Sequence, residues 1–313
     1  MIGIDVSKDS LSVCCWDDQG KQPRWHAQFE NSPAGISQLL ACSTAQEPWA
    51  LEPTGIYSCL VARTGVAQGR RVLQASPRAA KQFLASVHPR AKTDRLDAQG
   101  LARYASSVEL KPVVIKSDLM QRLSELLCAR RSLSRSLSTF RQQAQALPEA
   151  REQLLAAASS VAQHLRELDR ELERLARQEP QIKRLMQLPG VGPVTAATLV
   201  VRLTSVPFAA SDQVVAYIGL DLRVRDSGQH RGQRRLTKHG DAELRRLLYL
   251  AAQASLRSKD ATFAQQYQRE RDKGLATTQA LCAVARKLAR VAWSLVRHRA
   301  EYDPQRVYSQ TAP

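Results

Sequence analysis

Residues 2–16 read IGIDVSKDSLSVCCW. The run opens apolar (Ile2, Gly3, Ile4, Val6) with one acid, Asp5, inside it. Ser7 to Ser10 is polar and turn-like, and Leu11 to Trp16 is apolar again. Asp17-Asp18-Gln19-Gly20 then gives a turn signal. This pattern predicts a β-hairpin with a carboxylate inside its first strand. An acid there is unfavourable unless something compensates it. Asp5 either points to water from a strand end or belongs to a site, and its place inside the apolar run favours the site.

Working outward, RWHAQFE (residues 24–30) alternates as a third strand, and Ser32-Pro33 opens a helix through Leu40. Trp49 to Glu52 is a short apolar run ending in an acid, followed by Pro53-Thr54-Gly55. A helix to Ala67, a strand from Arg71 to Ala75, and a helix opened by Ser76-Pro77 come next. Three strands, helix, strand, helix, strand, helix predicts a mixed sheet with helices packed on it. Glu52 falls where a strand meets a loop, the place where open α/β sheets put their chemistry.

The stretch TDRLDA (residues 93–98) follows HPRAK. Thr93 suits an N-cap, and Asp94 and Asp97, three apart, share one helical face. With Arg90, Lys92 and Arg95 around them, the pair alone reads as a surface ion cluster. If it converges with Asp5 and Glu52, the set is all oxygen, which suits Mg2+ or Mn2+. Two such ions activate an attacking oxygen and stabilise a leaving one in phosphodiester chemistry.

The chain has 313 residues, enough for two or three domains, with 43% hydrophobic residues and a formal net charge of +17. That charge implies a polyanionic partner, nucleic acid before an anionic membrane. No apolar run approaches the ~20 residues needed to span a bilayer. No secretory signal precedes the first strand. The six cysteines lack C-x-x-C spacing. Buried free thiols in a reducing cytoplasm explain them better than zinc or disulfides.

Residues 117–178 carry a heptad stripe in two segments: Leu119, Leu123, Leu126, Leu133, Leu137 and Phe140, then Leu154, Val161, Leu165, Leu168, Leu172 and Leu175. Arg130 fills a skipped apolar place and Pro148 breaks the run. A helical hairpin or two coiled-coil arms would result, pairing internally or between protomers.

Beyond Pro180, LPGVGPV (residues 188–194) is a glycine-rich turn between two helices. Gly190 and Gly192 let backbone approach phosphate, as in a helix-hairpin-helix element; an ordinary packing joint is the alternative. In residues 217–246, Arg223, Arg225, Arg231, Arg234, Arg235, Lys238, Arg245 and Arg246 crowd around Asp226-Ser227-Gly228. Ser227 there suits attack on a phosphodiester, with cations stabilising the developing charge. On composition alone, a basic loop gripping backbone phosphates explains it better. His230 and His239 read as phosphate contacts. Residues 243–299 read as amphipathic helices, and the Pro/Gln/Ser/Thr-rich tail from Tyr302 as disordered.

MIGIDVSKDSL, LEPTGIY, HPRAKTDRLDA and LPGVGPVTA with the later DSG and LTKHGDAELRRLL together resemble the insertion-sequence transposases with a D-E-D-D tetrad, the "IS one-ten" family. The resemblance spans nearly the whole chain. It implies an α/β plus α architecture. Residues 1–110 would form an RNase H-like domain similar to Holliday-junction resolvases (RuvC-like), and 115–180 a coiled coil. Residues 181–300 would form a mostly helical transposase domain with a helix-hairpin-helix-like element, and 301–313 a disordered tail. It further implies that Asp5, Glu52, Asp94 and Asp97 bind magnesium and that Ser227 becomes joined to a DNA end. A bridge RNA would pair with donor and target DNA, leaving the protein to hold backbones. The assembly would be a dimer building to a tetramer, acting in the bacterial cytoplasm.

Two other readings compete. A junction endonuclease using only the four acids and water would cleave without Ser227. A non-catalytic nucleic-acid-binding protein would be indifferent to Asp5 and to magnesium.

Overall fold

Ile2, Ile4 and Val6 alternate with Gly3 and Asp5 along the first strand, and this alternation builds a two-sided sheet. In the computed structural model, which describes residues 1–19, 21–52, 55–87, 93–223, 226–227, 230–231 and 235–308, the chain forms two compact units, Met1–Ile115 and Lys116–Pro313.

The first unit holds strands β1 (Ile2–Val6), β2 (Ser10–Asp17) and β3 (Gln22–Glu30), helix α1 (Pro33–Cys42), β4 (Trp49–Leu51), α2 (Tyr57–Ala67), β5 (Val72–Gln74), α3 (Pro77–Val87), α4 (Asp94–Ser107) and β6 (Lys111–Pro112). The six strands lie in the order β3-β2-β1-β4-β5-β6. β2 and β6 run against the other four. The predicted hairpin, third strand and alternating helices are all present; β6, two residues long, is additional. Ile2, Ile4, Val6, Trp49 and Val72 bury one face against Ile36 and Leu39 of α1 and Val61 of α2. Ala50 and Leu73 bury the other face with Leu101 and Ala105 of α4. Ser32 caps α1, its hydroxyl accepting from the Gly35 N–H, and Pro33 pre-sets the first turn.

The second unit opens with α5 (Asp118–Ala146), capped by Ser117, and α6 (Arg151–Ala176), joined through a short 3-10 turn at Pro148–Ala150. The two form an antiparallel hairpin. Arg130, the polar residue in the apolar stripe, pairs with Asp169 at 2.5 Å across it. The hairpin base shares its core with the helices that follow: Leu123, Leu172 and Leu175 join Leu199, Leu248, Val284 and Leu288. Those helices are α7 (Pro180–Leu185), α8 (Pro193–Thr204), α9 (Ser211–Ile218), α10 (Ala242–Ser255), α11 (Thr262–Asp272) and α12 (Thr277–His298). Between α9 and α10 lie four two-residue strands, β7 (Leu222–Arg223), β8 (Asp226–Ser227), β9 (His230–Arg231) and β10 (Arg235–Leu236).

Two expectations are corrected. The tail is not disordered from Tyr302 on: Val307 is buried, and the Tyr302 and Tyr308 hydroxyls donate to Asp260 and Gln266. Three anchoring side chains outweigh the polar composition, and only residues 309–313 lie outside the described residues. All six cysteines are free, but just Cys14 and Cys15 are buried; Cys42 and Cys128 are exposed. Among the described residues no helix is long and apolar enough to cross a membrane.

Candidate active site

Gly3 pairs with Ala50 on one side and Cys14 on the other. A Cβ on Gly3 would collide with the backbone of Ala98 and Ala102, so this is the face that α4 covers. Side chains two residues apart share a face. Asp5 follows Gly3 and Glu52 follows Ala50, so both acids take the α4 side at the C-terminal ends of adjacent parallel strands. They stand one residue beyond the paired Ile4 and Leu51, where neighbouring strands are about 4.8 Å apart. Both are half-buried.

α4 runs back along β1. Ala98 and Ala102 lie over Gly3, and the Arg103 guanidinium lies 5.3 Å from the centre of the Trp16 ring, toward the start of β1. Asp94 precedes Ala98 by about 6 Å of helix, and Asp5 follows Gly3 by about 6.6 Å of strand. The first turn of α4 is thereby directed toward the end of β1 that carries Asp5. Thr93 caps this turn, its hydroxyl accepting from the Leu96 N–H at 3.3 Å. Asp94 and Asp97 sit where the helix dipole favours negative charge. Arg95 acts elsewhere, on Cys14 and His26. Burial pushes the Cys14 thiol up to about 12 against the pull of Arg95, so it is no nucleophile at neutral pH. Burial, then Arg95, lowers His26.

Asp5 and Glu52 end adjacent strands, and Asp94 and Asp97 lie in the first turn of the helix that covers them. Among the described residues, no group of three or more His, Cys, Asp or Glu is close enough to hold a metal ion. Like-charged carboxylates stand apart unless a cation lies between them. The donor chemistry alone would suit a hard divalent ion, since all four are carboxylates.

In the second unit, Gly219 ends α9 in the left-handed region (φ 75°) and the chain enters a double hairpin. β7 pairs with β10 (Arg223 opposite Arg235), and within it β8 pairs with β9 (Ser227 opposite His230, Asp226 opposite Arg231). Ser227 thus lies in the inner strand pair; its side chain, like those of Asp226, His230 and Arg231, is outside the described residues, as are Arg225, Gly228 and Arg234 altogether. The base of the hairpin is clamped. Arg245 Nη1 donates to the Ile218 carbonyl at 2.7 Å, Arg286 Nε to the Leu220 carbonyl at 3.0 Å, and the Thr237 hydroxyl to Asp221. Asp241 caps α10 and pairs with Arg202 at 2.9 Å. Arg223, Arg235 and Lys238 are exposed, whereas Arg246 is spent on Glu243 at 2.6 Å.

The two glycines of the LPGVGP turn differ. Gly190 (φ 79°) lies against the α10 backbone at Ala251 and Ser255, which makes it a packing joint. Gly192 has open space around it at the N-terminus of α8.

A family model described as "Transposase", of the DEDD IS110 type, matches residues 2–150, and one described as "Transposase IS116/IS110/IS902 family" matches residues 182–268. The chain belongs to the IS110 family of insertion-sequence transposases. The first match covers Asp5, Glu52, Asp94 and Asp97, and the second covers Gly190, Gly192 and the Ser227 hairpin. This IS110-family chain is similar over 96% of its length to the "Pilin gene-inverting protein" of Moraxella bovis, at 25% identity and 97% coverage of that protein. It is likewise similar to the "Transposase for insertion sequence element IS1328" of Yersinia enterocolitica, at 26% identity over 94% of this chain and 95% of that one. The "Transposase for insertion sequence element IS1111A" of Coxiella burnetii is 25% identical over 96% and 91%. A family of DNA-cleaving and recombining enzymes accounts for the charge of +17.

Sequence reasoning missed the cations of α12 (Arg286, Lys287, Arg290), which lie far along the chain from the basic hairpin they adjoin. Two adjacent cations and a third one turn on, along one amphipathic helix, were the signal available.

Proposed function

We propose that this IS110 transposase exchanges DNA strands through a covalent serine intermediate, guided by a structured bridge RNA. Its N-terminal unit acts as an RNase H-like metal-binding domain. Asp5, Glu52, Asp94 and Asp97 would hold Mg2+ or Mn2+, which when bound supplies Lewis-acid stabilisation to phosphate oxygens. The observation that carries this reading is the β1–β4 register, which sets Asp5 and Glu52 side by side under the helix that begins with the other two acids.

The Ser227 hydroxyl is the proposed nucleophile. Its oxygen bonds to a backbone phosphorus and loses its proton; the phosphorus–deoxyribose oxygen bond breaks, and the released oxygen takes up a proton. A hydroxyl from the partner strand then attacks the phosphoserine, which restores Ser227 and joins the new strand. Arg223, Arg235 and Lys238 would offset the negative charge on the phosphate in both steps. Arg225, Arg231 and Arg234 extend the same basic run. Gly192, at the open start of α8, suits a backbone phosphate. Sequence choice would rest with RNA pairing to donor and target DNA, and the protein would grip backbones. The helical hairpin would join protomers as a coiled coil, so that one copy's acids serve another's serine.

The test is purification with bound RNA followed by incubation with donor and target DNA. Wild type is expected to give a protein–DNA adduct that denaturant does not dissociate, and Ser227→Ala to give none. Cleavage that persists in Ser227→Ala without any adduct would replace this reading with the water-using endonuclease, which no observation above favours.

A further inference from the structure

Beside the base of the double hairpin, a groove of about 890 Å³ runs between β7/β10 and helices α11 and α12. Among the described residues, Arg235, Lys238, Arg286, Lys287 and Arg290 line it, against a single carboxylate, Glu270. Leu222, Leu236 and Leu275 give it an apolar side, and Leu222 is 44% exposed.

Three of the cations are held from behind. Arg286 donates to the Leu220 carbonyl at 3.0 Å, Arg290 pairs with Asp212 at 2.7 Å, and the Lys287 ammonium lies 4.9 Å from the Tyr308 ring centre. Arg290 Nε is buried with no hydrogen-bond partner among the described residues. Burial, then the charge of Arg290, holds both Arg286 and Lys287 below their ordinary values. Cations crowded at i, i+1 and i+4 on one helix raise each other's cost, and a bound polyanion relieves it. Fixing the side chains beforehand lowers the entropy lost when that anion arrives.

We propose that this groove binds an unpaired stretch of nucleic acid, its phosphates on the five cations and its bases against the leucines. A duplex hides its base faces in its own stack and offers only phosphates. An unpaired strand presents both, and a groove with cationic and apolar walls matches that combination. The volume lies in the range of about 300–1,000 Å³ typical of small-ligand pockets, so it takes a few nucleotides of a longer strand. The proposal rests on the strand-exchange reading, since strands must unpair during exchange.

The full-length protein is titrated with labelled oligothymidylate, oligouridylate and a duplex, across a range of salt. Neutralising Lys238 and Lys287 together (Lys238→Gln, Lys287→Gln) should weaken single-strand binding about tenfold and lower the salt slope by about 1.4, at ~0.7 per phosphate contact. Duplex binding should change less. Leu275→Asp should weaken single-strand binding without reducing the cation count. Equal affinity for oligothymidylate and oligouridylate assigns the groove to backbone and base faces; preference for oligouridylate assigns it to RNA. Unchanged single-strand binding in these variants, or an equal loss for duplex, overturns the proposal. Lys238→Gln alone, at an exposed position, keeps the test open should Lys287→Gln disturb Tyr308. A Ser227→Ala protein that binds oligonucleotide normally but forms no adduct separates this groove from the catalytic reading. A wild-type protein that forms no adduct while the groove variants lose binding leaves the groove standing and removes strand exchange.

Discussion

Gly3→Ala should disable strand exchange more than it destabilises the fold. The added Cβ would lie 2.5 Å from the Ala102 nitrogen and 2.9 Å from its Cβ, and closer still to the Ala98 carbonyl. Carbon atoms pack at about 3.5–4.0 Å. α4 must therefore lift from β1 by about 1 Å, because the obstructing atoms are mostly backbone and cannot rotate away. The overpacking costs about 1–3 kcal/mol. The same lift carries Asp94 and Asp97 away from Asp5 and Glu52, and a misplacement of ~1 Å costs about 10²-fold in rate. Gly65→Ala is the control. Its Cβ would meet the Trp49 ring and Val72 at 2.9 Å, on the sheet face opposite α4. Melting temperature and strand-exchange rate are measured for both, well below either transition. The expected result is comparable destabilisation with a rate loss confined to Gly3→Ala. Equal rates in the two variants would refute the claim that α4 positions the acids.

Gly190→Ala combines a left-handed backbone (φ 79°) with a collision against α10, so it should lose more than the roughly 1–2 kcal/mol of the conformation alone in urea unfolding. Tyr302→Phe removes the 2.8 Å bond to Asp260 and should cost about 1 kcal/mol after solvent screening. Burial opposes ionisation of Asp260, but hydrogen bonds from Thr262 and Tyr302 win and hold it below the usual carboxylate value. Its stabilisation is present above the unfolded value of about 3.9 and is lost as pH falls through the lower folded one. The wild-type advantage over Tyr302→Phe should therefore vanish in acid unfolding curves. Replacing Arg130 and Asp169 together with leucine should leave thermal stability equal or raised, whereas Asp169→Leu alone should lower it by leaving the half-buried guanidinium unpaired.

The sheet was legible because its strands carry turn residues at their ends and alternation within. The β1–β2 hairpin, the Ser32-Pro33 cap and the Thr93 cap are local chemistry, and local chemistry is readable. Lys111-Pro112 carries no alternation, and neither do the arginine-rich segments that become β7 to β10; backbone pairing alone makes them strands. The juxtaposition of Asp5 and Glu52 follows from parallel pairing between strands separated by two others and a helix, so residue spacing could suggest but not fix it. Tyr302 and Tyr308 show the opposite failure. A polar tail composition concealed two aromatic anchors whose partners, Asp260 and Gln266, lie about forty residues earlier.

The most direct test of the four-acid site is a count of Mn2+ bound by the nucleic-acid-loaded protein, read by electron paramagnetic resonance. Asp5→Asn, Glu52→Gln, Asp94→Asn and Asp97→Asn should each weaken binding while the melting curve shows a folded chain. Any one of these variants that binds Mn2+ as tightly as wild type would contradict a single site built from all four.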